Sequence, residues 1–303
     1  MNAVPAWPNL FIAGAPRCGT SSLYAWLQAI PGIYMSRIKE PNYFSRQVIG
    51  DDNPLLKPIR DEGQYLRLFS DCGDAKIVGE ASPTYLQDPE APVLINRAVP
   101  DAKVIVSLRD PVERLYSLYL MLQNNRATTG SFMAEIERGL AAQGNPRLVF
   151  VAPRSGLYAQ QVERYRRVFG SARFKVLIFE EMMADVPATL QSILDFLGID
   201  HEIGAFAEPP QRQYGEARGP LVRYLFGNRT ISRASEALIP FKLRKLVRNA
   251  FLVKQVAKPP MEPAARAFLT DYYRADVARL ERLLGRRLPW RNFGVNSTSE
   301  NVR

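Results

Sequence analysis

Among 303 residues there is one histidine, His201, and there are two cysteines, Cys18 and Cys72. A single histidine rules out a multi-histidine zinc site, and any Ser-His-Asp arrangement would have to be built around that one residue. His201 lies in LGIDHEIG, just past a predicted helix end, where a solvated loop position is the ordinary reading. Two cysteines make neither a disulfide framework nor a metal cluster, and the sequence offers no other plausible metal-ligand set. No uncharged apolar run is long enough to span a bilayer. The opening stretch carries no charge before Arg17 and lacks the basic start and long apolar core of a secretion signal, which points to the cytoplasm.

Positive charge, by contrast, is in excess. The net charge is +10, which favours an anionic partner. From Arg212 to Lys258 eleven Lys or Arg stand against Glu216 and Glu236, so one segment carries nearly the whole excess. Within it, residues 241–257 place Leu243, Leu246, Ala250 and Val253 on one side of a helical projection and Lys242, Lys245, Arg248 and Lys254 elsewhere. That pattern suits a core-packing helix with a solvated basic face, a peripheral contact with the inner membrane face, or a contact with an acidic glycan. No nucleic-acid-binding module is recognisable, so nucleic acid is not expected as a partner.

Apolar content of 47% and charged content of 23% are ordinary globular values, and the chain reads as one domain over residues 1–303. Short apolar runs predict strands at 10–13, 76–80 and 103–108, and a fourth in FKVLIFEEM from Phe174. Helical spacing predicts helices at 20–29, 112–124, 188–197 and 262–284, the last ending at Gly285. Strands alternating with helices imply an α/β fold, P-loop-like, with a central parallel sheet flanked by helices. Residues 42–60 read as a long loop.

The loop GAPRCGTSS, Gly14 to Ser22, joins the first strand to the first helix. Backbone N–H groups converge on an anion at such a junction, and the helix dipole favours negative charge there. The spacing is that of a P-loop, but Thr20 stands where the nucleoside-triphosphate lysine belongs, and no clear acidic metal-binding partner follows a later strand. ATP or GTP hydrolysis is therefore disfavoured. A phosphate cradle remains, with Arg17, Cys18, Gly19, Thr20, Ser21 and Ser22 around it; the alternative is a tight turn whose glycines serve packing alone.

Four ordered segments, and with them the C-terminal helix, then resemble one family. GAPRCGTSSLYAWL resembles the 5′-phosphosulfate loop of sulfotransferases that use 3′-phosphoadenosine 5′-phosphosulfate (PAPS), as in bacterial members with GAPKAGTTSL. KEPNYFS, Lys39 to Ser45, is similar to the KE-x-x-FF segment of the heparan sulfate enzymes, and GEASPTYL, Gly79 to Leu86, to their E-[KA]-[ST]-P-x-Y segment. VIVSLRDPVERLYSLYL, Val104 to Leu120, is similar to the 3′-phosphate motif, and YYRADVARLERLLGRRLPW to the closing helix.

The resemblance implies that Arg109 and Ser117 hold the 3′-phosphate, that Arg218 belongs to a late basic loop closing over the nucleotide, and that Glu40 is the base, with Glu80 the other candidate. The alternative for Arg109 is a surface ion pair with Asp110 or Glu113, and for Glu40 an exposed pair with Lys39 or Arg37. Cytosolic small-molecule sulfotransferases use a histidine base between the two nucleotide motifs, and none lies between Gly19 and Arg109 here. Arg17 departs from the family, most members of which carry lysine there. Arginine keeps the charge but gives up no proton, so its expected role is electrostatic, and Lys39 is a second cation for that work. The acceptor implied is a hydroxyl or amine on a saccharide or glycolipid, with a hydroxylated natural product or lipid as the other possibility. A P-loop kinase or NTPase, and a non-catalytic basic anion- or membrane-binding protein, are the rival classes.

Overall fold

Strand β1, Leu10–Gly14, is buried along its whole length, and its side chains alternate between two cores. Leu10 and Ile12 pack with Trp26, Leu27, Ile193 and Leu194 on one face of a sheet. Phe11 and Ala13 pack with Tyr65, Tyr85, Tyr165 and Tyr273 on the other. Each large side chain so buried contributes about 1.5–3 kcal/mol. A strand buried on both faces belongs at the centre of a parallel sheet, and β1 lies there.

The structure, a computed structural model, describes residues 7–50, 56–124, 127–142, 152–200, 215–217, 253–255 and 258–294. The further strands are β2 (Ile33–Met35), β3 (Ile77–Ala81), β4 (Lys103–Leu108), β5 (Phe174–Ile178), β6 (Gly215–Ala217) and β7 (Val253–Gln255). The helices are α1 (Thr20–Gln28), α2 (Glu62–Leu66), α3 (Ala91–Ala98), α4 (Pro111–Asn124), α5 (Phe132–Ala141), α6 (Tyr158–Arg173), α7 (Phe179–Ala184), α8 (Val186–Leu197) and α9 (Pro263–Leu284). Strands β1 to β5 form one sheet in the order β2-β3-β1-β4-β5, every pair parallel. Helices α1 and α8 supply one face, and α4, α6 and α9 the other. The expected α/β fold is therefore the observed one. No helix among the described residues is long and apolar enough to cross a membrane.

Two expectations need correction. The strand from Phe174 stops at Ile178, and Phe179–Ala184 turns helical with Glu180 and Glu181 in its first turn, where carboxylates favour a helix start. Val253–Gln255, at the tail of the predicted basic helix, form β7 and pair antiparallel with β6. The rest of the 241–257 segment lies outside the described residues, as do His201 and Arg218.

From β1 the chain moves to one side of the sheet for β2 and β3, then to the other for β4 and β5. The reversal opens a crevice at the carboxyl ends of β1 and β4, where open α/β sheets take their ligands. The 14–22 loop leaves β1 there, and Arg109 follows β4 at the same edge.

Candidate active site

The 14–22 loop is held in place from the sheet. The Ala15 N–H donates to the Ser107 carbonyl of β4 at 2.8 Å, and the Ser107 hydroxyl donates to the Cys18 carbonyl at 2.7 Å. Gly19, at φ 79°, is the N-cap of α1, and no side chain caps the helix. The first amides of α1, at Thr20 and Ser21, have no acceptor within the helix, and no acidic residue stands in its first turn. That is the donor set of an anion cradle, and it fits a phosphate or sulfate group. Thr20 is buried, and Ser21 and Ser22 are half-buried beside it.

Arg17 has φ 69°, in the left-handed region that non-glycine residues seldom occupy and that clusters at functional sites. Its exposed side chain runs towards α4. Nε and Nη2 each donate to the Ser117 hydroxyl at 3.2 Å, and Nη1 approaches the Met121 sulfur at 3.6 Å. Sequence motifs put Arg17 and Ser117 at opposite ends of a nucleotide; the structure brings them into contact. Cys18 is buried, with its thiol 3.8 Å from the Tyr158 hydroxyl, and burial pushes that thiol up to about 11. Its backbone braces the loop: the N–H donates to the Ala15 carbonyl at 3.3 Å and the carbonyl accepts from Ser107.

Arg109 lies across the Phe179 ring at 4.7 Å. Neither carboxylate weighed as its ion-pair partner takes that role. Asp110 accepts from the Val112 N–H at 3.0 Å as the cap of α4, and from Asn292 Nδ2 at 2.7 Å. Glu113 binds Lys258 at 2.7 Å and Arg266 at 2.8 Å. Among the described residues Arg109 has no ion pair, so its guanidinium is positioned by a ring and not by a carboxylate.

The 39–45 segment lies along the end of β3, the strand beside β1. The Glu40 N–H donates to the Ala81 carbonyl at 2.9 Å, and the Asn42 N–H to the Ser82 hydroxyl at 3.0 Å. Asn42 is buried; its Nδ2 donates to the Glu40 carbonyl at 2.8 Å, and its Oδ1 accepts from the Thr84 hydroxyl at 2.8 Å. Glu40 and Asn42 both have positive φ, 65° and 54°. Strained backbone held by this many bonds fixes where the Glu40 side chain starts. Lys39 donates to Glu40 Oε1 at 2.6 Å, and among the described residues Oε2 has no hydrogen-bond partner.

Glu80 is in a different environment. It is fully buried and accepts from the Tyr65 hydroxyl at 2.8 Å, the Tyr85 hydroxyl at 2.7 Å and the Ser82 hydroxyl at 2.6 Å. Burial pushes its carboxyl up to about 7, against those hydrogen bonds and the charge of Lys39, which pull the other way. Three hydroxyls and no exposed surface suit a group that holds Ser82 and two tyrosines in place. They do not suit one that meets a substrate.

Sequence reasoning missed Phe179, Ser107 and Asn292. The first lay inside an expected strand. The other two act through contacts 89 and 182 residues away in the chain, which no local pattern reports.

The cradle, Arg109 at the neighbouring strand end and the Lys39–Glu40 pair lie at one edge of the sheet, a cluster of donors and cations that can hold an anion. Residues 55–202 match the model of the sulfotransferase family. A crystal structure of a sulfotransferase from Alicyclobacillus acidocaldarius is 32% identical, with a TM-score of 0.69 over 93% of this chain and 98% of that one. The chain belongs to the sulfotransferase family. Carbohydrate sulfotransferase 15 of Homo sapiens is 28% identical over 91% of this chain and 53% of its own length, so the chain spans about half of that curated relative. A mouse sulfotransferase solved with PAP shares the fold at 16% identity, with a TM-score of 0.50 over 94% of this chain and 90% of that one.

Proposed function

We propose that the chain is a single-domain PAPS-dependent sulfotransferase acting on a saccharide hydroxyl or amine, with Glu40 as the base. The observation that carries this reading is the meeting of three cationic or N–H-rich elements at one sheet edge, beside a carboxylate one oxygen of which has no partner among the described residues. When bound, PAPS supplies a sulfuryl group and leaves as 3′-phosphoadenosine 5′-phosphate (PAP).

The 14–22 loop would hold the 5′ end through the Gly19, Thr20 and Ser21 amides and the Thr20, Ser21 and Ser22 hydroxyls. Arg109 would fork onto the 3′-phosphate. Arg17 donates to the Ser117 oxygen from Nε and Nη2, and the Ser117 O–H would donate to that phosphate. Arg218 would close over the nucleotide from the late basic loop.

Glu40 takes the acceptor proton on Oε2 as the acceptor oxygen or nitrogen bonds to sulfur, and the bond from sulfur to the phosphate oxygen breaks in line. Arg17 and Lys39 stabilise the charge that grows on the departing oxygen. The saccharide is supported by the likeness to a carbohydrate sulfotransferase and by the KEPNYFS resemblance to the heparan sulfate enzymes. A cytoplasmic location, with the basic 241–257 segment touching the inner membrane face, belongs to the same proposal.

The test is incubation with radiolabelled PAPS and a panel of glycans, with thermal stabilisation by PAP and by Mg-ATP measured alongside. Label should appear on a glycan, and PAP should raise the melting temperature. Stabilisation by Mg-ATP but not by PAP would sink the reading.

A further inference from the structure

Arg114 takes no part in the chemistry above, yet it occupies an expensive position. It is the fourth residue of α4, and its side chain is fully buried. Nη2 donates to the Ser155 hydroxyl at 2.7 Å and the guanidinium also interacts with the Tyr273 hydroxyl, while among the described residues Nε and Nη1 have no acceptor at hydrogen-bond distance. The groups around it are the hydroxyls of Tyr158 and Tyr273 and the thiol of Cys18. Burial holds all three protonated at neutral pH. The nearest carboxylates on its own helix are committed elsewhere, Asp110 to the α4 cap and Asn292, and Glu113 to Lys258 and Arg266. Among the described residues, no carboxylate pairs with Arg114. The helix adds to the cost, since a cation near an N-terminus faces the positive end of the dipole.

A buried charge with unmet donors destabilises a fold and persists where it serves a site. The site in question lies directly alongside. Cys18 is in the middle of the 14–22 loop, its thiol 3.8 Å from Tyr158, and of the charged groups acting on that thiol Arg114 is the strongest, ahead of Arg109.

We propose that Arg114 is the buried half of the anion-binding device: a fixed positive charge beneath the 14–22 loop, compensated when a phosphate or sulfate ester anion sits on the loop's outer side. It acts through its field and is a positioning residue, not a catalytic one. The proposal rests on the preceding reading only for the identity of the anion. In the anion-free protein Arg114 costs stability, and in the loaded protein it contributes affinity, so one substitution should move the two quantities in opposite senses.

The experiment uses the full chain with Arg114→Met, which keeps length and removes charge, and Arg114→Lys, which keeps the charge. Ser155 stays satisfied in both, because its hydroxyl also donates to the Ala152 carbonyl at 2.7 Å. Melting temperature is read without anion, and Kd for PAP and for inorganic pyrophosphate by calorimetry. Without anion, Arg114→Met should melt at or above the wild type, while its Kd for either anion rises about tenfold, the scale of one charge acting over a partly polar interior. Arg114→Lys should return the Kd to within about threefold of the wild type. Unchanged anion affinity in Arg114→Met overturns the proposal, as does a lowered melting temperature with a Kd that Arg114→Lys fails to restore. If Arg114→Met does not fold, Arg114→Gln carries the same comparison. Pyrophosphate binding that responds to Arg114 while PAP fails to bind supports the buried charge and overturns the PAPS reading instead.

Discussion

Arg17 and Ser117, a hundred positions apart, are joined by two hydrogen bonds from one guanidinium to one hydroxyl, each 3.2 Å long. The contact spans the crevice between the loop after β1 and the helix after β4. It ties the residue expected at the sulfate to the residue expected at the 3′-phosphate. Ser117→Ala removes the acceptor for Arg17 and the O–H left for phosphate. One charge-assisted hydrogen bond is worth about 1.5–3 kcal/mol, so the Kd for PAP should rise about tenfold or more. Arg17→Lys keeps the charge and loses the fork; PAP affinity should stay within about threefold while kcat falls about tenfold. Calorimetry and steady-state rates read both, and an unchanged Kd in Ser117→Ala would remove Ser117 from the phosphate site.

Glu40→Gln tests the base. Glutamine has the same shape and still accepts from Lys39, so the loop clamp through Asn42, Ser82 and Ala81 is untouched. It cannot take a proton. PAP affinity should be unchanged, and kcat should drop about 10²- to 10⁴-fold, the usual contribution of general-base catalysis. Full turnover in this variant would assign the proton to another group.

Glu80 predicts a pH dependence of stability, not of chemistry. Unfolded, its carboxyl titrates at about 4.3; folded, burial holds it near 7. Between those values the folded protein keeps a proton that the unfolded chain has lost. Raising the pH therefore weakens the fold from about pH 4.5 to about pH 7 and has no further effect above. The cost of holding Glu80 ionised reaches roughly 3–4 kcal/mol at the top of that window. Glu80→Gln can still accept from Tyr65 and Tyr85, and it should lose this dependence. Urea denaturation of both proteins at pH 5, 6, 7 and 8 should give stabilities that lie close at pH 5 and diverge as pH rises to 7, the wild type falling. Parallel curves would show that Glu80 does not hold the proton.

The elements that position the site were legible because their signals are local. Strand β4 reads from KVIVSL as it stands, and Asp110-Pro111 marks the start of α4. The loop at Gly14 to Ser22 and the Lys39–Glu40 pair carry their chemistry in a few adjacent residues. Helix α6 did not show, because its buried Ala159, Val162, Tyr165 and Phe169 alternate with arginines, glutamines and a glutamate that lower its apolar signal. Strand β2, three residues long, is too short to show a period. The difference in surroundings between Glu40 and Glu80 was not legible either. It depends on burial and on three hydroxyls, two of them from tyrosines at 65 and 85, brought together by the fold.

Gly19 couples the two ends of the site through packing. A Cβ there would lie 2.5 Å from Met182 Cε and 2.9 Å from Phe179 Cδ2, and φ 79° is already a conformation that alanine disfavours. Phe179 is the ring on which Arg109 rests. Gly19→Ala should therefore destabilise the protein by about 1–3 kcal/mol, from backbone strain and overpacking, and displace Arg109 with the ring. Arg109→Ala alone should raise the Kd for PAP about a hundredfold, the scale of a bidentate charged contact. Gly19→Ala alone should raise it about tenfold. In the double variant the alanine at 19 has no guanidinium to displace, so the combined effect should fall short of the product of the two. A double-mutant cycle on PAP affinity measures the shortfall, and strict additivity would separate the loop from the arginine.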